Sequence, residues 1–105
     1  MIPTEVDINI HSIKPDDLKN YELIDIRESD EIADWPPLKP FRQVPFSQFP
    51  ANIDAFDKKK TYLLYCAKGG RSHYMAEAMV QQGFKAFSVN HGIPSVNSYL
   101  KNLDQ

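Results

Sequence analysis

Hydrophobic residues along this chain alternate between strand-like and helix-like spacing. Val6, Ile8 and Ile10 recur at every second position, which predicts a short extended segment with one apolar side. Residues 12–18 have a proline near their start and predict a brief helix. Residues 21–26 are mostly apolar, as expected of a strand that is covered on both faces.

The alternation continues after a break at residues 34–40. This segment contains three prolines and predicts a loop, because proline interrupts helices and central strands. The further predicted elements are a short strand around Val44, a helix over 47–56 with Ser47 as its N-cap, a strand over 62–65, a helix over 72–82, a strand over 86–89 and a helix over 93–103.

Two of these helices carry an apolar stripe that predicts a core-facing side. The stripes are Met75, Ala76, Met79 and Val80 in the first helix, which Gly83 ends, and Val96, Tyr99, Leu100 and Leu103 in the second. Strands separated by helical crossovers predict an α/β fold with a mainly parallel sheet. Ligands of such sheets bind at the carboxyl ends of the strands, where Cys66 and residues 25–28 fall.

Composition narrows the class of protein without identifying it. A chain of 105 residues predicts one domain over residues 1–105. The net charge of -2 gives no reason to expect nucleic acid or an anionic membrane as a partner. No secretion signal or membrane span is evident at the sequence level, so we expect a cytoplasmic protein. A single cysteine excludes an internal disulfide.

That cysteine, Cys66, ends an apolar strand and precedes a glycine-rich turn that opens a helix. Backbone N–H groups, the helix dipole and the neighbouring Lys68 and Arg71 would all lower the pKa of the thiol. The alternative is a small buried side chain at the end of a core strand. Adjacent glycines at 69 and 70, which allow N–H groups to converge on an anion, favour the reactive interpretation.

Four segments in this order resemble the landmarks of a rhodanese homology domain: residues 23–28, 65–72, 83–84 and 91–93. The resemblance covers nearly the whole chain. In size, the chain is similar to the single-domain, thiosulfate sulfurtransferase-like members of that family. It implies a rhodanese-like α/β fold with a central, mainly parallel sheet of five strands and helices on both faces. It also implies that Cys66 carries sulfur as a persulfide.

Two segments depart from the pattern of that family. The turn that usually follows the Asp-x-Arg-Glu element is replaced by residues 34–40, and a usual Gly-Gly pair is His91-Gly92 here. From Cys66 to Arg71 the loop has six residues, a length typical of sulfur-transferring members. Related phosphatases and arsenate reductases have one residue more, so these activities are less favoured.

The resemblance therefore implies a sulfurtransferase that moves a sulfane sulfur from thiosulfate or a related anionic donor to cyanide, a thiol or a protein acceptor. The Cys66 thiolate would take the sulfur first and release it in a second step. The assignment requires that Cys66 is not sealed away from solvent. No cofactor is implied.

The loop residues have expected roles that follow from their charge and position. Arg71 would either face the donor anion or pair with a carboxylate such as Glu28 or Asp25 to brace the loop. Lys68 would attract an anionic donor. The outer persulfide sulfur would be held by the backbone N–H groups of Ala67, Lys68, Gly69, Gly70, Arg71 and Ser72.

Other polar residues have supporting or incidental roles. We expect Asp25 to accept hydrogen bonds from loop N–H groups and Arg27 to form an ion pair. His73 is expected to face solvent or to pack, and not to act as a general base. His11 and His91 lack the spacing of a metal site, so no metal is expected.

A second hypothesis starts from the aromatic residues near the proline-rich loop. Trp35, Phe41, Phe46 and Phe49 could form a docking surface, which would make the chain a non-catalytic interaction or regulatory module. The alternative is that these side chains cap the edge of the sheet as additional core.

Overall fold

A computed structural model describes residues 5–49 and 53–103 of the chain. The strands are β1 (Asp7–Ile8), β2 (Tyr21–Asp25), β3 (Arg42–Gln43), β4 (Thr61–Tyr65) and β5 (Lys85–Val89). The α-helices are α1 (Ser29–Asp34), α2 (Gly70–Gln81) and α3 (Ile93–Leu103). Short 3-10 helices cover Ile10–Ser12, Pro15–Asn20, Phe46–Gln48 and Ile53–Ala55.

The five strands form one parallel sheet in the order β1-β5-β4-β2-β3. In the register of β2 with β4, Asp25 lies opposite Tyr65. Because these neighbours are parallel, the residues that follow them emerge at the same edge of the sheet. This confirms the predicted five-stranded α/β fold and places Cys66 beside residues 26–28.

Apolar residues cover both faces of the sheet, which confirms the predicted helices on both sides. One face packs under α2 and we call its cluster the α2-side core; the other packs under α3 and is the α3-side core. The α2-side core includes Ile24, Ile26, Leu64, Cys66, Met75, Ala76 and Met79. The α3-side core includes Leu23, Leu63, Tyr65, Ile93, Val96, Tyr99 and Leu100.

Glycines with positive φ lie just before and just after helix α2. Helix α2 begins at Gly70, two residues before the predicted start, because Gly69 serves as its N-cap with φ +112°. After α2, Gly83 has φ +94°, the left-handed conformation typical of a residue that follows a helix. The early start places three residues of the Cys66 loop in the first turn of α2.

Two predictions for the first half of the chain were wrong in detail. Val6 packs in the α2-side core whereas Ile10 packs in the α3-side core, since β1 is too short to keep both on one side. The brief helix starts at Pro15 and ends at Asn20. The strand predicted around Val44 within residues 41–46 lies inside those bounds, at Arg42–Gln43, and ends just before Val44.

The helix predicted over residues 47–56 also needs correction. Ser47 is not an N-cap, because Pro45 takes that position in the 3-10 helix Phe46–Gln48. A second 3-10 helix covers Ile53–Ala55, and residues 50–52 lie outside the described part of the chain. Of the described helices, none is long and apolar enough to cross a membrane.

Candidate active site

The sulfur of Cys66 lies at the N-terminus of α2, just after the carboxyl end of β4. Gly69 donates its backbone N–H to the sulfur at 3.1 Å. The hydroxyl oxygen of Ser72 lies 3.5 Å from the same atom. The first N–H groups of a helix have no partner within the helix, so those of Gly70, Arg71 and Ser72 are available to an anion at this position.

The electrostatics of this arrangement favour the thiolate. Burial by itself raises the pKa of Cys66, but hydrogen bonds from the Ser72 hydroxyl and from the N–H groups of Ser72, Gly69 and Lys68 outweigh it. The pKa of Cys66 is therefore lowered from its ordinary value of 9.0. Since the thiolate is the nucleophilic form of cysteine, the lowered pKa favours a nucleophilic sulfur.

Cys66 is nevertheless buried, with 1% of the residue exposed. The expected access of solvent to the sulfur is therefore not present in this structure. In the same loop, Lys68 and Gly70 are exposed and Ala67 is half-buried. A small reagent would have to pass this loop to reach the sulfur.

The guanidinium of Arg71 pairs with a carboxylate of α1. It donates two hydrogen bonds to the Glu31 carboxylate, at 2.8 and 2.6 Å. The bracing partner is thus Glu31 and not Glu28 or Asp25, the two carboxylates expected from the sequence. The same Glu31 carboxylate accepts the backbone N–H of Glu28 at 2.9 Å, so one side chain links the start of α1 to the start of α2.

The sequence did not predict Glu31 as a residue of this site. The Arg71 guanidinium holds the pKa of Glu31 at about 2, below its ordinary 4.5. A signal was present, since an acidic residue three positions after an N-cap often folds back on the helix start. That signal identifies Glu31 as a capping residue, but it does not reveal the contact with Arg71.

Asp25 and Arg27 form a buried ion pair on the other face of the sheet. Arg27 donates from Nε and Nη2 to the Asp25 carboxylate, at 3.0 and 2.7 Å, and both side chains are almost completely buried. Asp25 also accepts the backbone N–H of Arg27 at 3.0 Å, in place of the expected N–H groups of the Cys66 loop. Nη1 of Arg27 donates to the carbonyl oxygen of Trp35 at 2.7 Å, which fixes the start of the proline-rich loop.

Glu28 anchors the segment that follows β3. Its carboxylate accepts the hydroxyl of Ser47 at 2.9 Å and the backbone N–H of Ser47 at 3.2 Å. The Glu28 carboxylate is therefore bound to Ser47 and is not the partner of Arg71.

The turn before α3 contacts the backbone of Cys66 and Ala67. His91 and Gly92 both have φ +67°. A Cβ atom on Gly92 would overlap the carbonyl oxygens of Cys66 and Ala67. Because Ile93 donates its N–H to the Cys66 carbonyl at 2.9 Å, this turn and the end of β4 hold each other in place.

Lys68 and His73 are two further cations on the Cys66 loop and in the first turns of α2. Lys68 is exposed. His73 contacts the Asp7 carboxylate at 2.9 Å and the Glu77 carboxylate at 3.2 Å, and these carboxylates raise its pKa. Among the described residues, no group of three or more His, Cys, Asp or Glu side chains could hold a metal ion.

The aromatic residues proposed as a docking surface do not share one surface. Phe49 is buried in the α2-side core, and Phe46 packs against that core. Phe41 packs against the α3-side core. Trp35 is half-exposed. The three phenylalanines are therefore core residues, in agreement with the alternative interpretation.

Comparison with known proteins places the chain among others of this architecture. Residues 9–98 match the family model described as the Rhodanese-like domain. Over 71 residues the chain is 31% identical to YtwF of Bacillus subtilis, whose name gives it provisionally as a sulfurtransferase, with 68% of both chains covered. It is 38% identical over 66 residues to a tRNA sulfurtransferase of Serratia proteamaculans, but spans only 14% of that protein and uses 59% of its own length.

A solved structure of a similar protein has the same fold as this chain. A rhodanese-related protein from Thermoplasma volcanium superimposes with a TM-score of 0.75 at 25% identity, and the match covers 91% of each chain.

Proposed function

This chain belongs to the rhodanese-like domain family, and on that premise we propose that it is a sulfurtransferase in which Cys66 carries the sulfur. The observation that supports the proposal most directly is the cradle of hydrogen-bond donors around Cys66, whose pKa is lowered in spite of burial. The names of the matched relatives point to the same activity.

The proposed reaction has two steps. In the first, the Cys66 thiolate attacks the outer sulfur of thiosulfate or a related donor. The S–S bond of the donor breaks, sulfite leaves with the electron pair, and Cys66 holds a persulfide anion. In the second, an acceptor thiolate or cyanide attacks the outer sulfur, the Cys66–sulfur bond breaks, and the Cys66 thiolate is regenerated.

The charges of the loop suggest how the intermediate is held. The persulfide anion would lie against the N–H groups of residues 67–72, of which that of Gly69 already donates to the Cys66 sulfur. Arg71 is occupied by Glu31, so it acts as a brace, and Lys68 is the exposed cation left to attract the donor. Six residues from Cys66 to Arg71 enclose a ring suited to one sulfur atom more than to a tetrahedral phosphate.

Burial of Cys66 sets a condition on this proposal, because a donor has to reach the sulfur past the loop. We expect iodoacetamide to label the native protein completely, at a rate below that of the urea-unfolded chain at equal thiolate fraction. Labelling that occurs only after unfolding would contradict the proposal.

Intact mass measurement tests the first step. After incubation with thiosulfate, and in parallel with a small thiol persulfide, the protein should gain one sulfur atom that cyanide or a thiol removes. Cys66 is the only cysteine, so Cys66→Ser should gain none. No adduct with either donor would favour a non-catalytic interaction module, and hydrolysis of an artificial phosphate ester that is lost in Cys66→Ser would favour a phosphatase.

A further inference from the structure

Ser88 is a polar residue in a buried strand, and the proposed reaction gives it no role. It lies on β5 with no exposed surface, opposite Leu64 of β4 and Asp7 of β1. A buried hydroxyl costs free energy unless it is hydrogen-bonded, and an apolar residue would fill this position at lower cost. A specific interaction must therefore account for the hydroxyl.

The partner of Ser88 is Ser72, in the first turn of α2. The two hydroxyl oxygens lie 2.7 Å apart, and both side chains are fully buried. The Ser72 oxygen in turn lies 3.5 Å from the Cys66 sulfur and 3.2 Å from the carbonyl oxygen of Gly69. The three side chains thus form a chain from β5 through α2 to the sulfur.

Counting hydrogens gives this chain a direction. Each hydroxyl has one hydrogen to donate. The Gly69 carbonyl and a Cys66 thiolate both only accept, so the single hydrogen of Ser72 is shared between these two acceptors, at 3.2 and 3.5 Å. Because Ser72 has no further hydrogen, the hydrogen between the two serines must come from Ser88. Donation by Ser88 polarises the Ser72 hydroxyl and makes it a stronger donor to the sulfur.

We propose that Ser88 is a positioning residue of this site, which donates to Ser72 and so strengthens the Ser72 hydroxyl as a donor to the Cys66 thiolate. The proposal deepens the proposed function, because the thiolate is the form that would attack a sulfur donor. Its test, however, requires neither a donor nor sulfur transfer.

The charged groups around the sulfur stay the same in the variants that test this idea. Arg71 and Lys68 lie on the Cys66 loop, and Glu31 of α1 neutralises Arg71. Neither Ser72 nor Ser88 carries a charge. A change in the titration of Cys66 on replacing Ser88 therefore measures the effect of the hydrogen bonds that link Ser88 through Ser72 to the sulfur.

The experiment is a pH titration of the ultraviolet absorbance of the thiolate, measured as a difference against Cys66→Ser, which needs no reagent to enter the site. We expect Ser88→Ala to lower the thiolate fraction near the midpoint roughly two- to tenfold, the range for a weakened hydrogen bond to a charged group. Ser88→Thr and Ser88→Val form a matched pair of equal shape. The threonine should titrate like the wild type and the valine like the alanine.

A double-mutant cycle separates the proposed role from a general effect on packing. In the Ser72→Ala background, Ser88→Ala should leave the titration of Cys66 unchanged, since the link is already broken. An equal change in both backgrounds would overturn the proposal, as would an unchanged titration in Ser88→Ala or identical behaviour of the threonine and valine variants. Thermal unfolding of each variant confirms that the titrated protein is folded.

Discussion

Replacement of Glu31 by glutamine should destabilise the protein in a way that depends on pH. The Glu31 carboxylate accepts two hydrogen bonds from Arg71 and one from the backbone of Glu28. Glutamine keeps the shape of the side chain but removes its charge. The variant therefore loses the ion pair between α1 and α2 while the packing stays the same.

The size of the effect follows from the pKa of Glu31, which is about 2 in the folded protein against an ordinary 4.5. At 1.36 kcal/mol for each pKa unit, this difference corresponds to roughly 3 kcal/mol. The side chains of Arg71 and Glu31 are 33% and 32% exposed, so solvent screens the pair. We therefore expect a loss of roughly 1–2 kcal/mol in the free energy of unfolding at pH 7.

The sign of the pH dependence is set by the lowered pKa. A carboxyl with a lowered folded pKa stabilises the protein fully above its unfolded pKa, and this contribution is lost as the pH falls through the folded value. The difference in the free energy of unfolding between wild type and Glu31→Gln should thus stay constant from pH 7 to about pH 5. It should then close between pH 4.5 and about 2.

Urea unfolding at a series of pH values, followed by circular dichroism, measures this gap. Asp30→Asn is the matched control, because it removes the same charge from an exposed position on α1. The control should change the free energy of unfolding by less than about 0.5 kcal/mol. Equal stability of Glu31→Gln and wild type at pH 7, or a gap that persists unchanged down to pH 2, would refute the reasoning.

Two further predictions concern the turn behind the Cys66 loop and the histidine of α2. Gly92→Ala should cost at least about 2 kcal/mol in thermal or urea unfolding, because φ is +67° and the added Cβ meets two carbonyl groups. Gly70→Ala, whose Cβ would meet nothing within 4 Å, should stay within about 1 kcal/mol, and similar losses in both would contradict this account. The carboxylates of Asp7 and Glu77 raise the pKa of His73. The contribution of His73 to the free energy of unfolding is therefore complete below the ordinary pKa of 6.5 and is lost as the pH rises through the folded value. Wild type should therefore exceed His73→Gln in stability by roughly 0.2–1 kcal/mol at pH 5.5 and by less at pH 9, and a gap that widens with pH would count against this ion pair.

Most of the sheet could be predicted from the sequence, because its strands and helices have clear and different apolar spacing. The strand predicted over residues 62–65 is Thr61–Tyr65, and the terminal helix has the predicted bounds. The predicted helix over residues 47–56 was wrong because proline determines the backbone conformation there. Pro45 caps a 3-10 helix in place of Ser47, whose hydroxyl instead binds a carboxylate distant in sequence.

The candidate site shows a different limit of sequence reasoning. Cys66 and its loop are contiguous, so local chemistry was sufficient to predict backbone N–H donors near the sulfur, and Gly69 supplies one of them. The partners of Arg71 and Ser72 come from α1 and β5, 40 and 16 residues away. Several carboxylates and hydroxyls were equally acceptable on chemical grounds, and only the packing of the elements selects Glu31 and Ser88.

The solitary cysteine has a consequence for protection against oxidants. Peroxide converts an exposed thiolate to a sulfenic acid, which a neighbouring thiol in many proteins captures as a disulfide before further, irreversible oxidation. No second cysteine exists in this sequence to do so. Within this sequence, the reduction of an oxidised Cys66 would therefore depend on a small thiol that reaches the buried sulfur.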